Sequence, residues 1–325
     1  MKKVIKYIIG VLLIVSSVII ICYSGYKTIK VLMNRSNLNN KINEVKSTIV
    51  DKNNNDKLVF MNGYLILNKD LEDREFNVSV RTSKLERIVE IYQYKETKED
   101  DETYSYETDW YNELIDSSVF KNDGFDNPTS MKYENKTYYN DTYLDAFKLD
   151  DKEIDDLGLN SRYLDLDSEF ASKNGFNISN EYYTTSKDID FPEVGDIRIS
   201  FRYNNSNSAS VIAKQSNNMF EDYKLNNTLI NKIYNEKLTK EEVIDNIYPL
   251  KIVLYVTMIV LSLMLSIVGF KLINKKFIDS INLSIFAITV MFITYNPVIT
   301  ILGLVICSIL IIVSKKLFNK EVKNG

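Results

Sequence analysis

Histidine is absent from all 325 residues, and cysteine occurs only twice, as Cys22 and Cys307. Without histidine there is no Ser-His-Asp or Cys-His constellation, no imidazole base near neutral pH, and not the usual zinc or iron ligand. Both cysteines lie in or beside long apolar runs, so the polar part of the chain folds without disulfides, thiolate chemistry or a zinc-thiolate site. An excess of positive charge is missing too. The chain holds 40 Lys and Arg against 44 Asp and Glu, and ten of the lysines but only two of the acids, Asp279 and Glu321, sit around the apolar runs. Residues 26–251 are left with 30 basic and 42 acidic side chains, a net of −12 that repels phosphates and argues against nucleic-acid binding.

Four uncharged apolar stretches are present, one at the N-terminus and three near the C-terminus. Tyr7 to Tyr23, extended by Val4 and Ile5, reaches the roughly 20 residues that cross a bilayer, with Lys6 snorkelling. Ile252 to Phe270 is of ordinary spanning length. Ser280 to Ser314 would make one helix about 50 Å long, thicker than any bilayer. Asn296-Pro297 breaks it into a hairpin, Ile281 to Thr294 and Val298 to Val313, with Tyr295 at the interface. Lysine clusters before the first span, after the second and after the fourth then share one side, which is cytoplasmic by the positive-inside rule. The first stretch lacks an A-x-A site and reads as an uncleaved anchor. The expected architecture is an integral membrane α+β protein, with one N-terminal and three C-terminal transmembrane helices flanking a mainly β extracytoplasmic domain. Its segments are 1–25 (tip and first span), 26–50 (stalk helix), 51–238 (β-rich domain), 239–250 (capped juxtamembrane helix), 251–271 (second span), 280–314 (hairpin) and 315–325 (cytoplasmic tail).

Within the polar region Leu38, Ile42, Val45 and Ile49 recur at helical spacing and predict the stalk. Leu58 to Leu67 predicts two short strands about an Asn62-Gly63 turn. Phe76, Val78 and Val80 predict another strand, and Ile91 to Tyr94 is followed by a solvated tip at Glu96 to Glu102, with Tyr104, Tyr106 and Trp110 on the return. A short helix is expected at Asp150 to Leu157, and strands at Ile197 to Tyr203 and Ser210 to Ala213, joined through Asn204 to Ser208. Thr239 to Glu242 has the form of a capping box. Asp51 to Asn55 starts like a calcium loop but has Asp56 at the glycine position and Asn62 at the bidentate glutamate position. Asp165, Asp167 and Glu169 read as a solvated acidic face. No metal and no cofactor is assigned. The many asparagines read as genome bias, and they create seven Asn-x-Ser/Thr sequons in the loop domain, at Asn34, Asn77, Asn135, Asn140, Asn177, Asn204 and Asn226.

Six short motifs occur in order along the polar region: Glu90-Ile91-Tyr92-Gln93-Tyr94, Tyr104-Ser105-Tyr106 leading to Asp109-Trp110, Asp116-Ser117-Ser118-Val119-Phe120, Asn127-Pro128, Pro192 to Phe201 with Gly195, Asp196 and Arg198, and Ala213-Lys214-Gln215. Together with the one-plus-three spans they resemble the LUMA family, transmembrane protein forty-three and its bacterial relatives. Tyr94 stands where animal members carry Trp, and similarity is low between Tyr133 and Lys187.

The resemblance implies a non-catalytic organiser of membrane protein complexes, in the plasma membrane for a bacterial-type member and in the nuclear envelope or endoplasmic reticulum for a eukaryotic one, and no catalytic residues to carry over. Glu90, Tyr92, Gln93, Tyr104, Tyr106, Trp110, Asp116, Phe120, Pro128, Gly195, Asp196 and Arg198 are therefore expected to be structural. Arg198 has two candidate acceptors, Asp196 and Glu90, and Trp110 is expected to pack the sheet. Expected partners are membrane lipids, other membrane or envelope proteins, and further copies of this chain. The alternatives are a protein acting on lipid headgroups or responding to envelope stress, and a carboxylate-based envelope hydrolase.

Overall fold

The computed structural model describes residues 2–100 and 102–273. These form two units, one built from the N-terminal helix and residues from Glu241 onward, the other from Lys41–Lys240. The predicted hairpin at 280–314 and the tail at 315–325 lie outside the described residues.

In the first unit the helix Lys2–Lys41 and the helix Ile252–Leu272 are both long and apolar enough to cross a membrane. They run antiparallel along a seam of small residues. Gly10 meets Gly269 so closely that a Cβ on either would stand 2.7–2.8 Å from the other's carbonyl oxygen. Ser262 donates its hydroxyl to the carbonyl of Ser17 at 2.7 Å, and farther along Arg35 pairs with Asp245 and reaches the carbonyl of Tyr248. Lipid tails are as apolar as leucine, so close backbone approach and interhelical hydrogen bonds, rather than water exclusion, favour such pairing. The first helix is continuous, so the predicted 26–50 stalk is its C-terminal part and stops at Lys41, short of 50. Asn43–Glu44 has already turned to strand and pairs in parallel with Val59 and Phe60.

The second unit holds two seven-stranded sheets with separate cores. In the first sheet the order is Met219–Glu221, Ser208–Ser216, Leu58–Leu67, Thr142–Leu144, Phe147–Lys148, with short strands added at Asn43–Glu44 and Lys232–Tyr234. Its core gathers Val59, Met61, Phe147, Ile154 and Val211. The second sheet runs Asn177–Ser179, Tyr182–Thr184, Ile197–Tyr203, Lys84–Lys98, Tyr104–Tyr111, with Ser161–Arg162 and Lys136–Tyr139 at its margins. Its core centres on Phe76, fully buried and ringed by Tyr133, Phe170, Phe176, Tyr183 and Phe201.

Several local expectations change. Asn62-Gly63 makes no turn: Leu58–Leu67 is one strand, and Gly63 is needed because a Cβ there would stand 2.7–2.9 Å from the Asp145 carboxylate, Leu144 and the Ser47 hydroxyl. The strands on either side of Asn204 to Ser208 belong to different sheets, so that segment is a crossing between layers. Asp167 is the N-cap of an unanticipated helix, Ser168–Asn174, accepting from Glu169 N and Phe170 N. The helix Asp151–Leu157 forms as expected, closed by a capping box between Asp150 and Glu153.

The asparagines are not only genome bias. Asn77, Asn180, Asn217 and Asn226 all have positive φ, and each lies in the tight turn of a hairpin. A chain with only ten glycines uses asparagine for the left-handed backbone these turns require. Two of the sequons are buried: Asn140 and Asn204 are 4% and 2% exposed and donate to backbone carbonyls.

Candidate functional site

The strand Lys84–Lys98 organises the motif residues because its two faces differ. Leu85, Arg87, Val89, Ile91 and Gln93 point into the core, and Glu90, Tyr92, Tyr94 and Glu96 onto the opposite face. Antiparallel register then dictates who meets whom. Glu90 is opposite Arg198, Tyr92 opposite Trp110, and Glu96 opposite Tyr106.

Each pair makes a specific contact. Arg198 forks onto Glu90, Nε to Oε2 at 2.7 Å and an Nη to Oε1 at 2.9 Å, the two-bond geometry that holds guanidinium and carboxylate in one plane. Its flat face lies between two rings, 4.6 Å from the centroid of Trp110 and 4.7 Å from that of Tyr182. Tyr92 packs on Trp110 at 5.3 Å and bonds Thr108 through its hydroxyl. Tyr106 donates to Glu96, whose carboxylate also accepts from Lys121 N. Loss of hydration and the Glu96 carboxylate raise the Tyr106 phenol above its ordinary pKa; burial likewise raises Tyr182, with Arg198 opposing.

Asp196 does not pair with Arg198. Its carboxylate accepts from Thr185 Oγ1 and from Glu193 N, which closes the turn that carries Gly195 at φ +100°. Successive side chains of a strand alternate faces, but Asp196 precedes the strand and is committed to the turn, which leaves Glu90, one strand across, as the acceptor.

The far end of the same strand anchors a long connection. Gln93, fully buried, donates to Glu113 O at 2.6 Å and accepts from Ile115 N at 3.0 Å. Asn127 mimics a neighbouring strand: its Oδ1 accepts from Tyr94 N at 2.7 Å, and its Nδ2 donates to Tyr94 O and Ile115 O. Asp116 caps the turn Ser117–Val119, and its hydrogen bonds with Ser118 hold its carboxyl below the usual range. Phe125 stacks on Tyr106 at 3.8 Å between centroids, and Phe120 lies tilted against the same ring at 5.7 Å. Pro128 lies next to Gly195, where an added Cβ would be 3.6 Å from its ring.

Five of the six motifs thus converge on one end of one sheet, while Ala213-Lys214-Gln215 lies in the strand Ser208–Ser216 of the other. Beside them is a cleft of about 490 Å³, lined by Ile115, Asp116, Ser117, Asn127, Pro128 and their neighbours. Exposed apolar side chains stand on the segments that build this end: Leu114 at 40%, Val119 at 69% and Phe191 at 80%. Of the predicted residues only Tyr104, paired opposite Lys98 near the hairpin tip, stands away from the cluster. Tyr182, Glu96 and Thr185 belong to it and were missed, because their roles depend on strands and turns distant in sequence. Among the described residues no group of three or more acidic or cysteine side chains is placed to hold a metal.

A family model described as Transmembrane protein 43 matches residues 81–320. Transmembrane protein 43 of Pongo abelii and of Homo sapiens are each 30% identical over 162 residues, which cover 46% of this chain and 40% of the relative. The Transmembrane protein 43 homolog of Drosophila melanogaster is 24% identical over 184 residues, 51% of this chain and 48% of the relative. The aligned stretches therefore span less than half the length of these relatives. No solved structure matches the chain.

Proposed function

The chain belongs to the transmembrane protein 43 family, and from that premise we propose that it is a non-catalytic integral membrane scaffold whose β-rich domain docks other membrane or envelope proteins. The observation that carries this reading is the convergence of five of the six motif segments. They build a rigid, internally hydrogen-bonded end of one sheet and leave Val119 and Phe191 projecting from it. Side chains committed to each other by two-bond pairs and ring stacks are suited to holding a surface in shape. Exposed aromatic and aliphatic side chains beside a cleft are suited to anchoring a partner.

The proposal includes the four-span arrangement, with both termini cytoplasmic, the β-rich domain outside and the protein in the plasma membrane of a bacterial-type cell. Two apolar helices entering and leaving the same domain support the double tethering on which it rests.

Crosslinking in native membranes followed by mass spectrometry tests it. Wild type is expected to yield recurrent links from the 114–129 and 188–196 segments to a small set of membrane proteins, and Val119→Asp with Phe191→Asp to lose those links while the domain stays folded. Links confined to the chain itself, or unchanged in the double variant, would sink the docking proposal.

A further inference from the structure

We propose that the membrane unit carries a built site for one anionic glycerophospholipid, seated between the two apolar helices at their domain-side end. The inference stands independently of the scaffold reading, since it uses none of the residues of the β-rich domain.

The site follows from how the small-residue seam continues. At Gly10 and Ser17 the partner helix comes close enough to fill the space, with Gly269 and Ser262 opposite. Two turns on, the first helix still presents small residues, Ser24, Gly25 and Thr28, but the partner does not close on them. The result is a cavity of about 400 Å³ whose walls are almost wholly apolar, completed by Ile21, Tyr255 and Ile259 among others. That volume is within the range of about 300–1,000 Å³ common to small-molecule sites.

One polar group is out of place in it. Ser24 lines the cavity, is 2% exposed, and among the described residues its hydroxyl has no hydrogen-bond partner. Thr28, one turn away, satisfies itself by donating to the carbonyl of Ser24 at 2.9 Å. A buried hydroxyl without a partner is destabilising, a penalty that an acceptor entering the cavity removes.

Charge selects the occupant. The helix ends around the cavity bear Lys27, Lys30 and Lys251, all exposed, and no acid occurs in residues 1–43 or 248–278. Asp245 is already paired with Arg35. The cavity spans residues 21–32 and 250–259, where the apolar runs give way to charged residues, which is the depth of the lipid ester groups and headgroups. An acyl chain in the apolar cavity, an ester carbonyl accepting from Ser24 and a phosphate facing the lysines satisfy all three features together. A neutral hydrocarbon would leave the hydroxyl unpaired, and a soluble anion would leave the apolar walls empty.

The test uses the full chain in nanodiscs of phosphatidylglycerol mixed with phosphatidylcholine, extracted in mild detergent and weighed by native mass spectrometry. Wild type is expected to retain phosphatidylglycerol. Thr28→Leu, which fills the cavity, should lower retention at least about tenfold, Ser24→Ala several-fold, and Lys27→Gln with Lys30→Gln should erase the preference over phosphatidylcholine. A photoreactive residue in place of Leu32 identifies the occupant by the mass of its adduct, and does so even if Thr28→Leu perturbs the helix pair. A phosphatidylglycerol adduct supports the proposal. Adducts to the chain's own residues, to a second copy or to another protein would overturn it, as would equal retention by wild type and Thr28→Leu or no retention by wild type.

Discussion

Arg198 and Glu90, 108 positions apart in sequence, face each other across adjacent strands and are joined by two parallel hydrogen bonds, with the guanidinium held between Trp110 and Tyr182. Both side chains are about one-fifth exposed, which places the pair between a surface bridge, worth little, and a buried one, whose disruption is severe. Arg198→Ala is expected to lower stability by roughly 2 kcal/mol, since it removes the ring contacts as well as the fork. Arg198→Lys should keep the charge and recover less than half. Thermal unfolding of the full chain in detergent, followed by the fluorescence of Trp110, the only tryptophan, reads both effects at the site itself. Full recovery by lysine would show that planarity and the fork are unimportant.

Asn127 is the link between the sheet and the motif connection. Asn127→Ala strips Tyr94 N of its acceptor and two carbonyls of their donor, and about 2–3 kcal/mol of destabilisation is expected. Asn127→Asp should be worse, because it sets a carboxylate against those carbonyls. Hydrogen exchange ought to show residues 113–127 opening before the rest of the sheet, and uniform protection in both variants would contradict the assignment.

Glu153 gives the domain a pH dependence. It is 2% exposed, accepts from Asp150 N and Asn231 Nδ2, and burial, helped by the Asp150 carboxyl, pushes its pKa up to about 7. A carboxyl whose folded pKa lies above its unfolded value of about 4.3 binds its proton more tightly in the folded state. Its contribution is complete below about pH 4 and is lost as the pH rises toward 7, on the order of 2 kcal/mol after allowance for the sharing with Asp150. Glu153→Gln, with Asn231 turning to offer its Oδ1, should be flat over that range and more stable than wild type at pH 8. Parallel unfolding curves for the two proteins between pH 5 and 8 would disprove this.

Gly269→Ala separates packing from propensity in the membrane unit. Alanine is the better helix former by about 1 kcal/mol, yet its Cβ would stand 2.7 Å from the carbonyl oxygen of Gly10. The helices must part, and the Ser262 to Ser17 bond two turns away should weaken. A lower unfolding temperature in detergent is expected. A rise would mean that propensity wins and the seam is loose.

Gly63→Ala makes the corresponding test in the first sheet. Its Cβ would overlap the Asp145 carboxylate and the Ser47 hydroxyl, which bond each other, and about 2 kcal/mol should be lost. Were Gly63 instead a turn residue, alanine there would act through the backbone and leave the Ser47–Asp145 contact intact.

Much of the architecture was legible in the chain itself, because hydropathy and strand alternation are local. The two apolar helices, the Ile197–Tyr203 strand and the short helix at Asp150 to Leu157 appear where residue spacing places them, whereas the tip expected at Glu96 to Glu102 is shorter because the strand Lys84–Lys98 continues through Glu96. Asn62-Gly63 misled because the same dipeptide that favours a turn also suits a strand where another side chain presses close. The hairpin asparagines were hidden by an abundance that looked like genome bias.

The absence of histidine and the confinement of both cysteines to apolar runs were settled by the sequence alone, and so was the kind of chemistry the domain does without. Which carboxylate takes Arg198, which strands Asn204 to Ser208 divides, and where the helices fail to close over Ser24 were decided only in three dimensions. Each depends on register between segments tens to hundreds of residues apart, and register is a property of pairs of strands or helices that no single stretch of chain contains.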